Sequence, residues 1–403
     1  MVTLPDAAWR RREGLDRLAA ALGATDGESR FVGGAVRDTL LGLDASDVDL
    51  ATVHSPETVL RRLKAAEIRA VPTGLAHGTV TAILAGQPVE VTTLRRDLST
   101  DGRHALVAFT DDWRADADRR DFTMNALYAD PLTGELFDYH DGIADLHAGR
   151  VRFIGDPLRR IAEDHLRILR FFRFHARFGD AIDNDGLEAC AARANDLMAL
   201  SRERIAGELL KLLVARDAVS VMRTMVERGI LRAFLPEIAT AERLAELADR
   251  EAAAGIAPDA VRRLAALVPA GDLEAVGARL KLSNAQRRRL AAAAAGPGDE
   301  GPLALAYRFG PEIALDRLLL AGADPSPVLD WTPLRLPITG GALVERGLSK
   351  GPAVAAALRV VETHWIAEGF PDAARVSAMA DQVVAQALSG SMASAASASS
   401  GRP

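Results

Sequence analysis

Residues 30–53 read RFVGGAVRDTLLGLDASDVDLATV. The apolar pair Phe31–Val32 reads as the end of a strand. Gly33 and Gly34 then make a tight turn into a short segment, AVRDTLLG, which Gly42 closes. A second short strand follows in DVDLATV. Side chains alternate along a strand, so Asp47 and Asp49 point to one face while Val48 and Leu50 point to the other, toward a core. Two carboxylates side by side repel, and each takes up a proton more readily than it would alone.

A divalent cation removes that repulsion. Mg²⁺ binds through one or two carboxylates plus substrate phosphates. Glu90, between Val89 and Val91, faces away from their side of its strand and joins the two aspartates if that strand lies beside theirs. Taken alone, an Asp-x-Asp pair also fits solvated acids on an exposed face. The glycines add context, because small residues let a phosphate approach the backbone and the following helix offers free N–H groups and its positive dipole end. Arg37 stands one turn in, either pairing with a phosphate or lying on the surface.

Around this stretch the chain divides by pattern. Residues 5–22 have helical spacing, with Trp9, Leu15, Leu18 and Leu22 recurring. TVTAIL and VEVTTL flank AGQP as a hairpin. After Pro157 the pattern is helical almost to the end, with breaks at 294–302 and 321–327. The fold class expected is α+β, a mixed α/β head followed by helical domains. The boundaries expected are 1–154 for the head, 155–215 for a helical neck, 216–387 for a helical body and tail that bind RNA, and 388–403 for a disordered Ser/Ala tail.

The net charge of −6 argues against a general nucleic-acid coat protein and leaves room for a local basic groove. Cys190 is the only cysteine, so an internal disulfide and a cysteine zinc site are excluded, and a reducing cytoplasm is the expected compartment. The first residues are too charged for a secretion signal. The run 382–401 is too polar to span a bilayer, so no membrane is expected as a partner.

Two further segments carry chemistry. DRRDFTMNALYAD, 118–130, places Arg119, Arg120 and Asp121 before an apolar run. A carboxylate that accepts from a 2′-hydroxyl would select ribose over deoxyribose; a helix cap by Asp121 is the plainer alternative. GDPLRRIAEDHLRILRFFRFHARFG, 155–179, reads as one long helix with Leu158, Ile161, His165, Ile168, Leu169, Phe172 and Ala176 on an apolar face. Arg160, Asp164 and Arg167 fall together on another face, with Phe171, Phe174 and Phe178 near them, so the helix is expected to be covered on two sides. A carboxylate accepts and a guanidinium donates. Cytosine and adenine match that edge, while uracil and guanine present the reverse. A surface salt bridge is the plainer alternative for the same pair.

FVGGAVRDTLLG with DVDLAT resembles the nucleotidyltransferase head of the class II tRNA nucleotidyltransferase and poly(A) polymerase family. The resemblance implies that Asp47 and Asp49 hold Mg²⁺, with Glu90 assisting, that Gly33, Gly34 and Arg37 meet phosphates, and that Arg120 and Asp121 contact phosphates and ribose. It also implies that Glu163, Asp164 and Arg167, an E-D-x-x-R motif, read the incoming base, with Arg170 and Arg173 near phosphates. The polar stretch from Arg95 to Asp118 resembles the family's flexible loop. SRERIAGELLKLLVA, 201–215, resembles its neck, with a cap at Ser201 and with Glu203 and Arg204 bracing the base-reading helix. PITGGALVERGLSKGPAVAAALR resembles its tail, where Pro352 fits a first helical position and Ala342 departs from the acid many relatives carry.

The function expected is template-independent addition or repair of the 3′-terminal CCA of tRNA from CTP and ATP, with release of pyrophosphate. Poly(A) polymerase, or an enzyme adding only CC or only A, is the nearest alternative. An idle RNA-binding homologue and a small-molecule nucleotidyltransferase are more distant ones. Nothing in the sequence fixes the oligomeric state.

Overall fold

The computed structural model describes residues 2–45, 47–100 and 105–399, and their side chains except for 97–106 and those beyond 389. Contacts divide the chain into two compact units. One comprises Met1–Leu244 with Ala275–Leu282, the other Ala245–Glu274 with Ser283–Pro403. The proposed borders at 154 and 215 both fall within the first unit.

The first unit is built on a seven-stranded sheet in the order β3-β4-β5-β2-β1-β8-β9. The strands are β1 (Ser29–Val32), β2 (Asp49–Thr52), β3 (Arg69–Gly74), β4 (Thr79–Leu84), β5 (Gln87–Thr93), β8 (Leu127–Ala129) and β9 (Leu136–Asp138). Every pairing is antiparallel except β2 with β5, which is parallel and sets Asp49 opposite Glu90. Alternation does the sorting: Val48, Leu50, Val89 and Val91 are buried, so Asp49 and Glu90 take the opposite face. The β4–β5 hairpin is tighter than AGQP suggests. Its loop is Ala85–Gly86 alone, both at positive φ, which is the geometry a two-residue hairpin requires.

The Arg95–Asp118 stretch, expected as a loop, contains a separate two-stranded ribbon and a helix. The ribbon is β6 (Arg95–Thr100) with β7 (Ala105–Phe109), and the helix is Trp113–Asp118. Asp112 caps that helix by accepting the Arg114 and Ala115 amides. Residues 101–104 lie outside the described residues.

The expected single helix over 155–179 is two helices, Pro157–Glu163 and Arg167–Phe178. Asp164 is extended, at φ −150° and ψ 108°. Its carboxylate accepts the Leu166 amide at 3.1 Å, and that bond competes with the continuing helix ladder. No proline or glycine marks the break, so apolar spacing ran straight through it. Leu158, expected on the apolar face, is exposed, whereas Ile161, Ile168, Leu169, Phe172 and Ala176 are buried. Phe171, Phe174 and Phe178 are buried as well, which covers the second helix on two sides. Phe171 stacks on Phe153 at 5.5 Å, and Phe174 meets Phe122 edge-on at 5.5 Å. These rings fasten the arginine-rich helix to the segment that carries Asp121.

The second unit is helical. Its apolar cluster includes Leu343, Val361, Trp365, Val376 and Met379. Pro352 opens the helix Pro352–Ala367 at its first turn, and the breaks at 294–302 and 321–327 separate helices. Helix Ala373–Ser399 takes in the start of the expected 388–403 tail, which ends outside the described residues. Among the described residues no helix is long and apolar enough to cross a membrane.

Charged groups are also buried in this unit. Glu251, 1% exposed, accepts Arg262 at 2.7 and 2.8 Å and Arg263 at 2.8 Å. Arg262 and Arg289 both reach the buried Asp316. Breaking such a set by removing one member leaves uncompensated buried charge, at a cost of about 3–5 kcal/mol. Glu251→Ala is therefore expected to lower stability by about that much, read as an earlier urea transition of the second unit. An unchanged transition would show that the arginines find other acceptors.

Candidate active site

A cavity of about 630 Å³ lies in the first unit. Of the twelve site residues expected from sequence it gathers eleven: Gly33, Gly34, Arg37, Asp47, Asp49, Arg120, Asp121, Asp164, Arg167, Arg170 and Arg173. The twelfth, Glu90, sits beside Asp49 on the sheet but is not part of the lining. Arg95, Arg119, Asn125 and Phe174 also line the cavity; Arg119 and Phe174 were noted from sequence without a site role, and Asn125 was not singled out.

Gly33 precedes the helix Gly34–Leu40 with φ 71° and ψ −123°, a conformation that favours glycine. Gly42, at φ 70°, follows the helix end as expected. Arg37 is buried, which removes the surface alternative. Its Nε donates to Asp38 at 2.8 Å and its Nη1 to the Asn125 amide oxygen at 2.5 Å. The guanidinium lies over the Phe178 ring at 4.4 Å. Burial lowers its pKa against the opposing pull of Asp38, without threatening its charge. Asp38 also accepts Arg177 at 3.2 Å.

The acids line the same cavity. Asp49 opens β2, and Asp47 is exposed just before it. Burial first, then Glu90 and Asp47, push the Asp49 carboxyl up to about 6, with Arg120 opposing. Among the described residues no three His, Cys, Asp or Glu side chains gather into a metal-holding group. Two carboxylates carrying unbalanced negative charge, and offering only oxygen, suit a hard divalent ion whose remaining ligands come from a phosphate. The donor set thus fits the expected Mg²⁺ through Asp47 and Asp49, with Glu90 contributing charge rather than lining.

Asp116 is the residue that sequence reading passed over. It is fully buried. Oδ1 accepts Arg119 Nε at 2.8 Å, and Oδ2 accepts the Tyr128 hydroxyl at 2.7 Å and Arg120 Nη2 at 3.1 Å. Its spacing to Arg119 and Arg120, three and four residues on a helix, was a usable signal. Burial alone would raise this carboxyl; Arg120, Arg119 and the Tyr128 hydroxyl together hold it down at about 2.

Asp121 does not cap a helix. Oδ1 accepts the Phe122 amide at 2.9 Å and Asn125 Nδ2 at 3.0 Å, and Oδ2 accepts Arg170 Nε at 2.7 Å and Nη2 at 2.6 Å. Burial again raises, and Arg170, Asn125 and Arg167 outweigh it, leaving a value of about 2. All its good acceptor positions are occupied, so a sugar hydroxyl reaches this carboxylate only by displacing a donor.

Asp164 and Arg167 both line the cavity; the Arg167 amide donates to the Asp164 carbonyl at 3.0 Å, but their side chains pair with other groups. Arg204 grips Asp164 at 2.9 and 3.2 Å, the brace expected of it. Glu203 instead pairs with Lys281 at 2.8 Å. Arg167 donates to Glu163 at 2.6 Å, to the Arg160 carbonyl at 2.8 Å and to the Arg119 carbonyl at 3.1 Å. Its Nε–H has no protein acceptor among these bonds. Arg160, expected beside them, turns to Glu163 and is not in the lining. Arg173 bonds Glu208, a buried acid on the helix Arg202–Leu213 whose N-cap is Ser201, as expected. Cys190 is buried and its thiol is pushed up by burial, an inert core group.

Residues 29–152 match the poly(A) polymerase head domain, and residues 181–242 match a probable RNA- and SrmB-binding site of polymerase A. CCA tRNA nucleotidyltransferase 1, mitochondrial, of Mus musculus is 40% identical over 281 residues, covering 68% of this chain and 64% of that protein. The CCA-adding enzyme of Latilactobacillus sakei is 38% identical over 214 residues, 53% of this chain and 52% of that protein. The chain thus matches less than two-thirds of the length of either relative. The crystal structure of the Bacillus stearothermophilus CCA-adding enzyme in complex with CTP superposes with a TM-score of 0.64 at 28% identity, covering 88% of this chain and 93% of that one.

The two depressed carboxyls give a pH signature. Asp116 and Asp121 have folded-state values of about 2 against an ordinary 3.8, so their contribution is complete above 3.8 and vanishes as pH falls toward 2. Acid unfolding followed by circular dichroism is expected to steepen across that window. Asp116→Asn should be less stable at pH 7 and show a flatter acid limb; a parallel limb would mean that Asp116 does not carry the charge linkage.

Proposed function

Because the chain belongs to the tRNA nucleotidyltransferase and poly(A) polymerase family, we propose that it adds or repairs the 3′-terminal CCA of tRNA, using CTP and ATP without a template and releasing pyrophosphate. The observation that carries this reading is one cavity lined by an acid pair, Asp47 and Asp49, together with seven arginines. That arrangement suits a metal-bound triphosphate with its base beyond it. The names of the relatives and of the CTP-bound neighbour support the same substrates.

Asp47 and Asp49 would hold Mg²⁺, which when bound neutralises phosphate charge and acidifies the attacking 3′-hydroxyl. Gly33 and Gly34 leave room for phosphate oxygens, and Arg37 and Arg120 supply positive charge from rigid mounts. Asp164 offers acceptors and Arg167 the Nε–H donor toward the base. Both present the complement of cytosine and adenine and leave uracil and guanine mismatched, at about 1–3 kcal/mol per unpaired group. Arg170 shields Asp121 until a nucleotide draws it toward phosphate, and the freed carboxylate then accepts the ribose hydroxyl. Arg173 lies at the same wall. The working compartment proposed is the cytoplasm, on the single buried free thiol.

The test is incorporation into tRNA ending at its discriminator base, with Mg²⁺ and each nucleotide alone, then CTP with ATP. Two C residues and one A are expected; a long A tract would favour poly(A) polymerase, and no incorporation would refute the enzymatic reading. Asp49→Ala should cut the rate at least about a hundredfold through loss of metal assistance. Asp164→Ala should admit UTP and GTP while metal binding survives, and retained C and A choice would refute the base-edge role.

A further inference from the structure

Asn125 was invisible as a functional residue in the sequence, yet it lies between the two halves of the cavity. It is 7% exposed and lines the site. Its Oδ1 accepts Arg37 Nη1 at 2.5 Å, and its Nδ2 donates to Asp121 Oδ1 at 3.0 Å. One end of a single amide thus holds the cation beside the glycine turn, and the other holds the anion of the RRD segment. We propose that Asn125 is a positioning residue that sets the separation between the triphosphate side and the ribose side of the site. This rests on the nucleotidyltransferase reading above and deepens it.

Only an amide satisfies both neighbours. A carboxylate at 125 would pair with Arg37 and neutralise the charge that a phosphate needs, and would stand against Asp121 with no donor between them. An apolar side chain would leave Arg37 Nη1 and Asp121 Oδ1 each short of a partner. Protonated aspartic acid, however, has a carbonyl acceptor and an O–H donor and so reproduces the amide. The charged groups facing this point are Arg37 and Asp38 on the glycine-turn helix, Arg120 and Asp121 on its own segment, and Arg170 on the arginine-rich helix. None of them is Asp47 or Asp49.

The experiment measures CTP and dCTP binding by calorimetry, with the full chain, from pH 5 to pH 8. Asn125→Asp is expected to bind CTP about tenfold more weakly at pH 8, the scale of one charge-assisted hydrogen bond, and to recover toward wild type as pH falls. Asn125→Leu is expected to be weak throughout, with no recovery, and to narrow the CTP-to-dCTP ratio. If both variants are weak to the same pH-independent extent, Asn125 serves packing only and the proposal is overturned. Wild-type affinity in Asn125→Asp at pH 8 overturns it also. If the wild type itself fails to bind CTP, the nucleotide reading fails, and this inference with it.

Discussion

The first unit depends on one ion pair more than on any other contact, that of Asp121 with Arg170. Asp121 belongs to the segment that runs into the sheet, and Arg170 to the arginine-rich helix packed upon it. Burial presses chiefly on the Asp121 carboxylate, which needs donors in place of water, while Arg170 stays partly exposed. With it come two fixed distances: from the acids of β2 to the helix that bears Arg167, and from the glycine turn to the same helix through Asn125. The packed rings of Phe122, Phe153, Phe171 and Phe174 supply the apolar backing on which this polar bridge rests.

Charge in the cavity is arranged by restraint rather than by excess. Arg37, Arg120, Arg167, Arg170 and Arg173 each have a carboxylate or an amide within reach, yet all retain access to the same space. Such guanidiniums are oriented before any ligand arrives, so little freedom is left to lose on binding. Asp49 is the counterexample. Burial, Glu90 and Asp47 raise its carboxyl, and the pull of Arg120 only partly offsets them.

Much of this was legible in the sequence because it rests on short-range rules. Period-two alternation placed Asp49 and Glu90 on one face, and the position of Gly42 ended the first helix where expected. The Asp-Arg spacing of 164 and 167 anticipated that both would reach one cavity, but by another geometry. A continuous helix was assumed, whereas the chain turns at Asp164 through a side-chain bond to the Leu166 amide. Apolar periodicity does not register such a turn, since both helices bury the same kind of face. Asn125 stayed hidden because its meaning lies in a partner distant along the chain, Arg37, which no local pattern names, whereas Asp116 left a local trace in its spacing to Arg119 and Arg120. The ribbon β6–β7 was missed because its first strand, RRDLST, is polar and its second, ALVAF, is a short apolar run without alternation.

The parallel pairing of β2 with β5 has a kinetic consequence. Parallel neighbours cannot be joined by a tight turn, and here a helix, Pro56–Ala65, and the strands β3 and β4 intervene. Asp49 and Glu90 therefore meet only after a long excursion has closed, and they meet with like charge. Such non-local contacts form slowly because the entropy of closure is lost before any stabilisation is gained. The hairpin β4–β5 is local, whereas β1 with β8 joins residues farther apart still, so the sheet closes around the acids from both sides. The arginine-rich helix lies later in the chain than either acid, so the positive half of the cavity is the last to be synthesised.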